Sequence, residues 1–161
     1  MSMASPVIHA ANFSATAITT ATDLFEITVA ADRPVVIYGM SLGQTTDLSD
    51  AAEEVLMIGI YLDVTAGATG TAATEYVYTN TSVGAAATAA VVTLRGTPST
   101  GGTLIDIIPW NIRIPLMWIP IPEMRPKFTN LAAEGPVSSF RLIAAPTDSI
   151  TASGVLYWTE I

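Results

Sequence analysis

The stretch VLMIGIYLDV, residues 55–64, alternates for too long to be a helix. On an extended chain Leu56, Ile58, Ile60, Leu62 and Val64 share one face, and Val55, Met57, Gly59, Tyr61 and Asp63 the other. Successive side chains of a strand point to opposite faces, whereas a helix brings a face round about every 3.6 residues, so this stretch reads as a strand. DLFEITV repeats the pattern, with Phe25, Ile27 and Val29 on one face and Glu26 and Thr28 on the other. VVIYGMSL (35–42) is apolar on both faces, as expected for a strand in the middle of a sandwich. ADRP turns the chain between these two, because Pro34 presets its own φ and Asp32 suits a turn.

Further short runs, near 75–79, 90–95, 103–108, 137–143 and 150–161, are separated by GTPSTGG, TNLAAEGP and APTDS, all rich in turn residues. About eight to ten strands with turns between them predict an all-β chain, a two-sheet antiparallel β-sandwich with jelly-roll connectivity. Residues 1–22 lack charge and regular alternation and are expected as an N-terminal arm ordered by a neighbour. Residues 23–161 are expected as the single sandwich domain. Within QTTDLSDAAEE, Asp50 and Glu53 have capping-box spacing, which predicts a helical turn around 50–54. Asp47, Asp50, Glu53 and Glu54 could also face a calcium ion, but they match no loop pattern and lack the glycine that a tight wrap needs. The stretches TAGATGTAAT and TSVGAAATAA read as small-residue loops.

Residues 108–126, IPWNIRIPLMWIPIPEMRP, are the most unusual part of the chain. They hold two of three tryptophans, five of ten prolines and three charges. Arg113 and the repeated prolines rule out a membrane helix, since each interior proline removes a helical hydrogen bond at a cost of about 3 kcal/mol. Prolines are tolerated on edge strands, where their missing amides discourage further pairing. The period-two pattern puts Ile114, Leu116 and Trp118 on a core-facing side. Trp110, following Pro109 at an expected break between strands, is free to reach a partner. Trp110, Arg113, Met117, Met124 and Arg125 are therefore the expected interface residues.

Charged residues make up 12% of the chain, about half the usual share. A chain so poor in charge keeps its surface soluble most easily when other subunits cover much of it. The net charge is −8, with nine acids and one base, Arg33, in residues 1–94. No basic patch could neutralise a run of phosphates, so nucleic-acid binding is not expected. The absence of cysteine excludes disulfides and thiolate chemistry. The one histidine, His9, reads as an exposed arm residue without a nucleophile context. No phosphate-binding glycine loop is present, and no metal or cofactor is expected. Asp63, Asp106, Glu123 and Glu160 are the acids from which a glycosidase pair could be drawn, but each reads more simply as a strand-edge residue. Asn12–Ser14 and the NTS at 80–82 match glycosylation sequons by chance, since no secretory leader is visible.

From about Asp23 onward the chain resembles small structural proteins of tailed-bacteriophage virions. The features that carry the likeness are EITVAADRPVVIYGMSLGQTTD with its acidic turn, the Gly/Ala/Thr insertion, WIPIPEMRPKF, and FRLIAAPTDSITASGVLYWTEI. The resemblance implies a virion component without an active site, of a kind that includes capsid decoration and cement proteins. On that expectation the chain is made in the host cytoplasm and binds the major capsid protein on the outside of a phage head as a homotrimer. It would use no cofactor, nucleic acid or membrane. The alternative expectation is a tail or head-surface module on which Tyr76, Tyr78 and Trp118 stack against host-surface carbohydrate.

Overall fold

The alternating segments pair into two antiparallel sheets in the computed structural model, which describes residues 7–45, 53–65, 69–77, 90–130 and 136–161. In chain order the strands are β1 (His9–Ile18), β2 (Asp23–Thr28), β3 (Val35–Gln44), β4 (Val55–Thr65), β5 (Thr71–Ala72), β6 (Glu75–Val77) and β7 (Val91–Gly96). There follow β8 (Thr100–Asn111), β9 (Leu116–Trp118), a 3-10 turn η1 (Pro122–Met124), β10 (Lys127–Phe128), β11 (Val137–Leu142) and β12 (Ile150–Glu160). No helix among the described residues is long and apolar enough to cross a membrane.

The pairings are nested. β1 pairs with β12, β2 with β11, β3 with β9 and β4 with β8. β3 then also meets β12, and β4 meets β11. A long antiparallel hairpin has thus rolled up so that successive pairs fall in alternate sheets, which is a jelly roll. One sheet runs β9-β3-β12-β1-β6, with β10 on the same side of β3 as β9; the other runs β5-β7-β2-β11-β4-β8. The insertion after β4 adds strands to both sheets: β6 beside β1, and β7 beside β2 with β5 beyond it at the edge.

The inward faces meet in one core. Phe13 of β1 lies 5.4 Å from Phe25 of β2, and Phe128 of β10 lies 6.2 Å from Phe140 of β11, both centroid to centroid across the two sheets. Ile27, Ile37, Ile58, Ile60, Leu156 and Trp158 fill the rest without exposure. Burying each such side chain contributes about 1.5–3 kcal/mol, enough in sum to offset the ordering of the chain.

A buried polar clamp fixes the connection from β7 to β8. Asp23 is fully buried and accepts hydrogen bonds from the Arg141 Nε (3.1 Å) and the Ser99 backbone N–H (2.6 Å). Arg141 also donates to Ser99 Oγ (2.6 Å) and covers the Tyr61 ring at 4.1 Å. Ser99 Oγ in turn bonds Ser139 Oγ at 3.0 Å. Every charge in the clamp is matched, as burial requires.

Two expectations change at this level. Residues 9–18 are not an arm but strand β1, placed between β12 and β6. A register shift between Phe13 and Thr16 breaks the alternation there, which is why the stretch does not look like a strand. His9 is accordingly buried, stacked on Trp158 at 5.7 Å. Of the helical turn expected at 50–54, positions 50–52 lie outside the described residues. Glu53 accepts a hydrogen bond from Asn111 Nδ2 at 3.1 Å, and Glu54 takes both the N–H and the hydroxyl of Thr147.

Candidate interaction site

The proline-rich segment forms the edge of the first sheet. β9 pairs with β3 over three residues, Met40 with Trp118, Ser41 with Met117 and Leu42 with Leu116. After β9 the prolines hold the chain extended; Ile121 has φ −61 and ψ 154, the polyproline region. The 3-10 turn η1 follows, and the Pro126 carbonyl then accepts the Ile37 N–H at 3.0 Å, docking the chain on β3 again as β10. Between these two anchors the backbone has few partners in the sheet, and its side chains divide cleanly. Leu116 and Trp118 turn inward, with Trp118 packed edge-on against Phe140 at 6.1 Å. Ile114, Met117, Ile119, Ile121 and Met124 turn outward and are 59–70% exposed. Five large apolar side chains within eleven residues are more than scattered surface hydrophobics and make this edge the candidate contact surface.

Beneath this segment, on the outer face of the sheet, lies a cavity of about 300 Å³ lined by Tyr38, Tyr157, Ile8, Met117, Ile119 and Arg125. The Arg125 guanidinium sits 4.0 Å above the Tyr38 ring. Its Nε is buried without a hydrogen-bond partner. A second hollow of about 440 Å³ adjoins it across Met117 and is floored by small residues, among them Ser41, Gly43, Ser153 and Asn12. Gly39 is what lets β9 lie so close: a Cβ there would stand 2.7 Å from the Trp118 carbonyl oxygen.

The other sheet carries a second exposed apolar area, with Val55, Met57, Ile107 and Ile143 on the β4–β8–β11 side. Its edge is closed to further strands. The Met57 carbonyl accepts the Ile143 N–H at 2.9 Å and so faces β11, which turns the nitrogen of Pro109, opposite Met57, toward the free edge of β8. Two residues earlier, the Ile107 N–H is taken by the Asp106 carboxylate at 2.8 Å. A proline and an inward-folded carboxylate leave that edge without donors where a strand would add.

The five expected interface residues separate. Met117 and Arg125 come together at the cavity, and Met124 lies exposed at the end of η1. Arg113 is exposed in the turn between β8 and β9, its N–H bonded to Asn111 Oδ1 at 3.0 Å. Trp110 is a correction. It is 1% exposed, lies opposite Leu56, and donates its indole N–H to the Ile114 carbonyl at 3.1 Å. The strand does not break at Pro109, because an edge strand tolerates the missing amide, so Trp110 keeps the inward register of Ile108 and Ile112. Trp118, expected as core, is only half-buried. Tyr38, Tyr157 and Ile119 are absent from the sequence-based set. Tyr38 takes the side opposite Val35 and Ile37, but residues 35–42 are apolar on both faces, so the pattern does not single it out; the bulge opposite Gly39 reverses the alternation only beyond that point, where Gly39 and Met40 are both buried.

Other candidate chemistry is dispersed. Among the described residues no three His, Asp or Glu side chains gather as metal ligands. Asp47 and Asp50 lie outside the described residues. Of the four acids considered for a pair, Asp63 is on β4, Asp106 is folded onto Ile107, and Glu123 is in η1. Glu160 accepts the Ala90 N–H at 2.9 Å and meets Arg33 at 3.5 Å. Burial holds the His9 imidazole below its ordinary range, against an opposing pull from Glu160. Burial likewise raises the Glu75 carboxyl; the Val92 N–H, 3.0 Å away, opposes this and Glu160 adds to it. Tyr76 and Trp118 lie at opposite edges of one sheet, with β3, β12 and β1 between their strands, and Tyr78 is outside the described residues.

Comparison of the chain with protein-family models, with curated proteins and with solved structures finds no match in any of the three.

Proposed function

We propose that this chain is a structural assembly protein: a β-sandwich subunit that acts by burying the 114–124 surface against neighbouring subunits. The observation that carries the reading is the run of five outward apolar side chains from Ile114 to Met124 on a proline-stiffened edge. Prolines make the surface rigid before contact, so little conformational entropy is lost on binding. They also keep the edge from adding strands at random. Low charge over the whole chain supports the same reading, since such a surface is favourable when covered.

The resemblance to tailed-phage structural proteins makes this a virion assembly. The specific form of the proposal is a homotrimeric decoration or cement protein on the outside of the head, in contact with the major capsid protein. Jelly rolls also serve in lectins and enzymes, so the fold itself carries none of this. The alternative, a module recognising host-surface carbohydrate, has less support, because Tyr76 and Trp118 do not share a platform.

The test is occupancy and assembly together. Quantitative mass spectrometry of purified particles should find the chain in many copies with the head, and light scattering of the isolated protein should give a trimer. Met117→Ser combined with Met124→Ser should weaken attachment while leaving the melting temperature within a few degrees. A stable monomer that is absent from particles would end the proposal. A few copies at the tail tip would favour the alternative.

A further inference from the structure

Among the described residues Arg125 has no partner for its charge. Its Nε is buried without a hydrogen bond, and the guanidinium forms neither hydrogen bond nor ion pair with any described residue. The Tyr38 ring beneath it, 4.0 Å from the guanidinium carbon, holds the group in place and supplies no acceptor. Buried donors are almost always satisfied, and a fork of N–H groups held in one plane is shaped for a carboxylate. In a chain with 14 acids and six bases, leaving an arginine unpaired at a cavity is not a matter of too few acids. None of the acids among the described residues reaches it, which leaves the guanidinium open to an acid from a partner.

We propose that the Tyr38–Arg125 cavity is a socket for a glutamate or aspartate side chain, flanked by apolar residues, on an extended segment of a neighbouring protein. The cavity walls decide the flanks. Ile8, Met117 and Ile119 present apolar side chains beside the two tyrosines, which favours apolar residues next to the acid. The shape decides for a peptide over a free acid. A second hollow shares Met117 as a wall, and the small Ser41, Gly43 and Ser153 among its lining leave room there for an extended backbone. The inference rests on the assembly reading above and names the chemistry of the partner at that surface.

The experiment follows the arginine Nε–H resonances of the full chain by ¹⁵N-edited NMR. The probe is an acetylated, amidated tripeptide with glutamate between two leucines. The controls are the same peptide with glutamine, and hexanoate. The Arg125 resonance should shift saturably with the glutamate peptide at millimolar concentration, and the controls should bind about tenfold more weakly or less. Arg125→Gln should abolish binding. Met117→Glu, at an exposed position that leaves the core intact, should weaken it by placing a like charge at the lip. No shift with the glutamate peptide, or equal binding of the glutamine peptide, overturns the proposal. Hexanoate binding as tightly as the peptide also overturns it, since the site would then serve a small acid. The titration needs no assembly: a monomer absent from particles that still binds the glutamate peptide refutes the assembly reading and keeps the socket.

Discussion

Replacing each tryptophan of residues 108–126 by alanine separates fold from surface. A fully buried tryptophan removes about 150–250 Å² from water, worth about 4–6 kcal/mol at about 25 cal/mol per Å². Trp110 is 1% exposed, so nearly all of this is at stake, less what the alanine retains. The cavity left between β8 and the opposite sheet brings the expected cost of Trp110→Ala to about 3–5 kcal/mol. Loss of the indole bond to the Ile114 carbonyl adds little, because that carbonyl lies in an exposed turn where water replaces the donor. Trp118 is only partly buried, so Trp118→Ala should cost somewhat less, roughly 2–4 kcal/mol by the same area arithmetic. The assay is urea unfolding, with the midpoint shifting and the slope unchanged in each variant. In a domain of this size the two should lower the melting temperature by about 6–20 °C and about 4–16 °C respectively. A Trp118→Ala variant at least as destabilised as Trp110→Ala would refute the placement of both side chains.

Gly39→Ala should loosen β9 from β3, because the new Cβ meets the Trp118 carbonyl oxygen at 2.7 Å. The readout is a red shift of Trp118 fluorescence, best measured in a background where the other tryptophans are phenylalanine; an unchanged spectrum would count against the close approach. Asp23→Asn leaves the Arg141 charge uncompensated in the clamp and should cost about 3–5 kcal/mol, whereas adding Arg141→Gln should cost less than the sum of the two singles. Additive costs would show that the clamp is not coupled. The two shifted groups pull stability in opposite directions with pH. His9 resists protonation when folded, so its contribution is complete above its ordinary 6.5 and is lost as pH falls below that toward the depressed folded value. Glu75 holds its proton more tightly when folded, so its contribution is complete below its ordinary 4.5 and is lost as pH rises through the raised folded value. His9→Phe should therefore flatten the melting curve on the acid side of 6.5, and Glu75→Gln should raise the melting temperature at neutral pH but not at pH 4. Parallel pH profiles for wild type and both variants would refute these assignments.

Local pattern alone determined most of the strands of this protein. In 55–60 the alternation survives as burial, with Leu56, Ile58 and Ile60 inward and Val55 and Met57 outward, whereas 23–28 and 137–142 are buried on both faces and show only that they are strands, not which face meets the core. Turn residues marked where they stop, and the absence of helical periodicity settled the class. The register shifts were not legible in the same way. One in β1 disguised a central strand as an arm, and one opposite Gly39 put Gly39 and Met40 on the same buried side, because an extra residue reverses the alternation and the pairing partner that forces it lies over a hundred residues away. Pro109 misled for a related reason. A proline breaks a central strand but not an edge strand, and which strand lies at the edge follows from the order of the whole sheet, so only the tertiary structure could bury Trp110 and leave Trp118 half exposed. The candidate site divides along the same line. The apolar side chains of residues 114–124 are visible as composition, whereas the cavity that joins Arg125 and Met117 to Tyr38 and Tyr157 draws on β3, β9 and β12, segments separated along the chain by tens of residues, and exists only once they have paired.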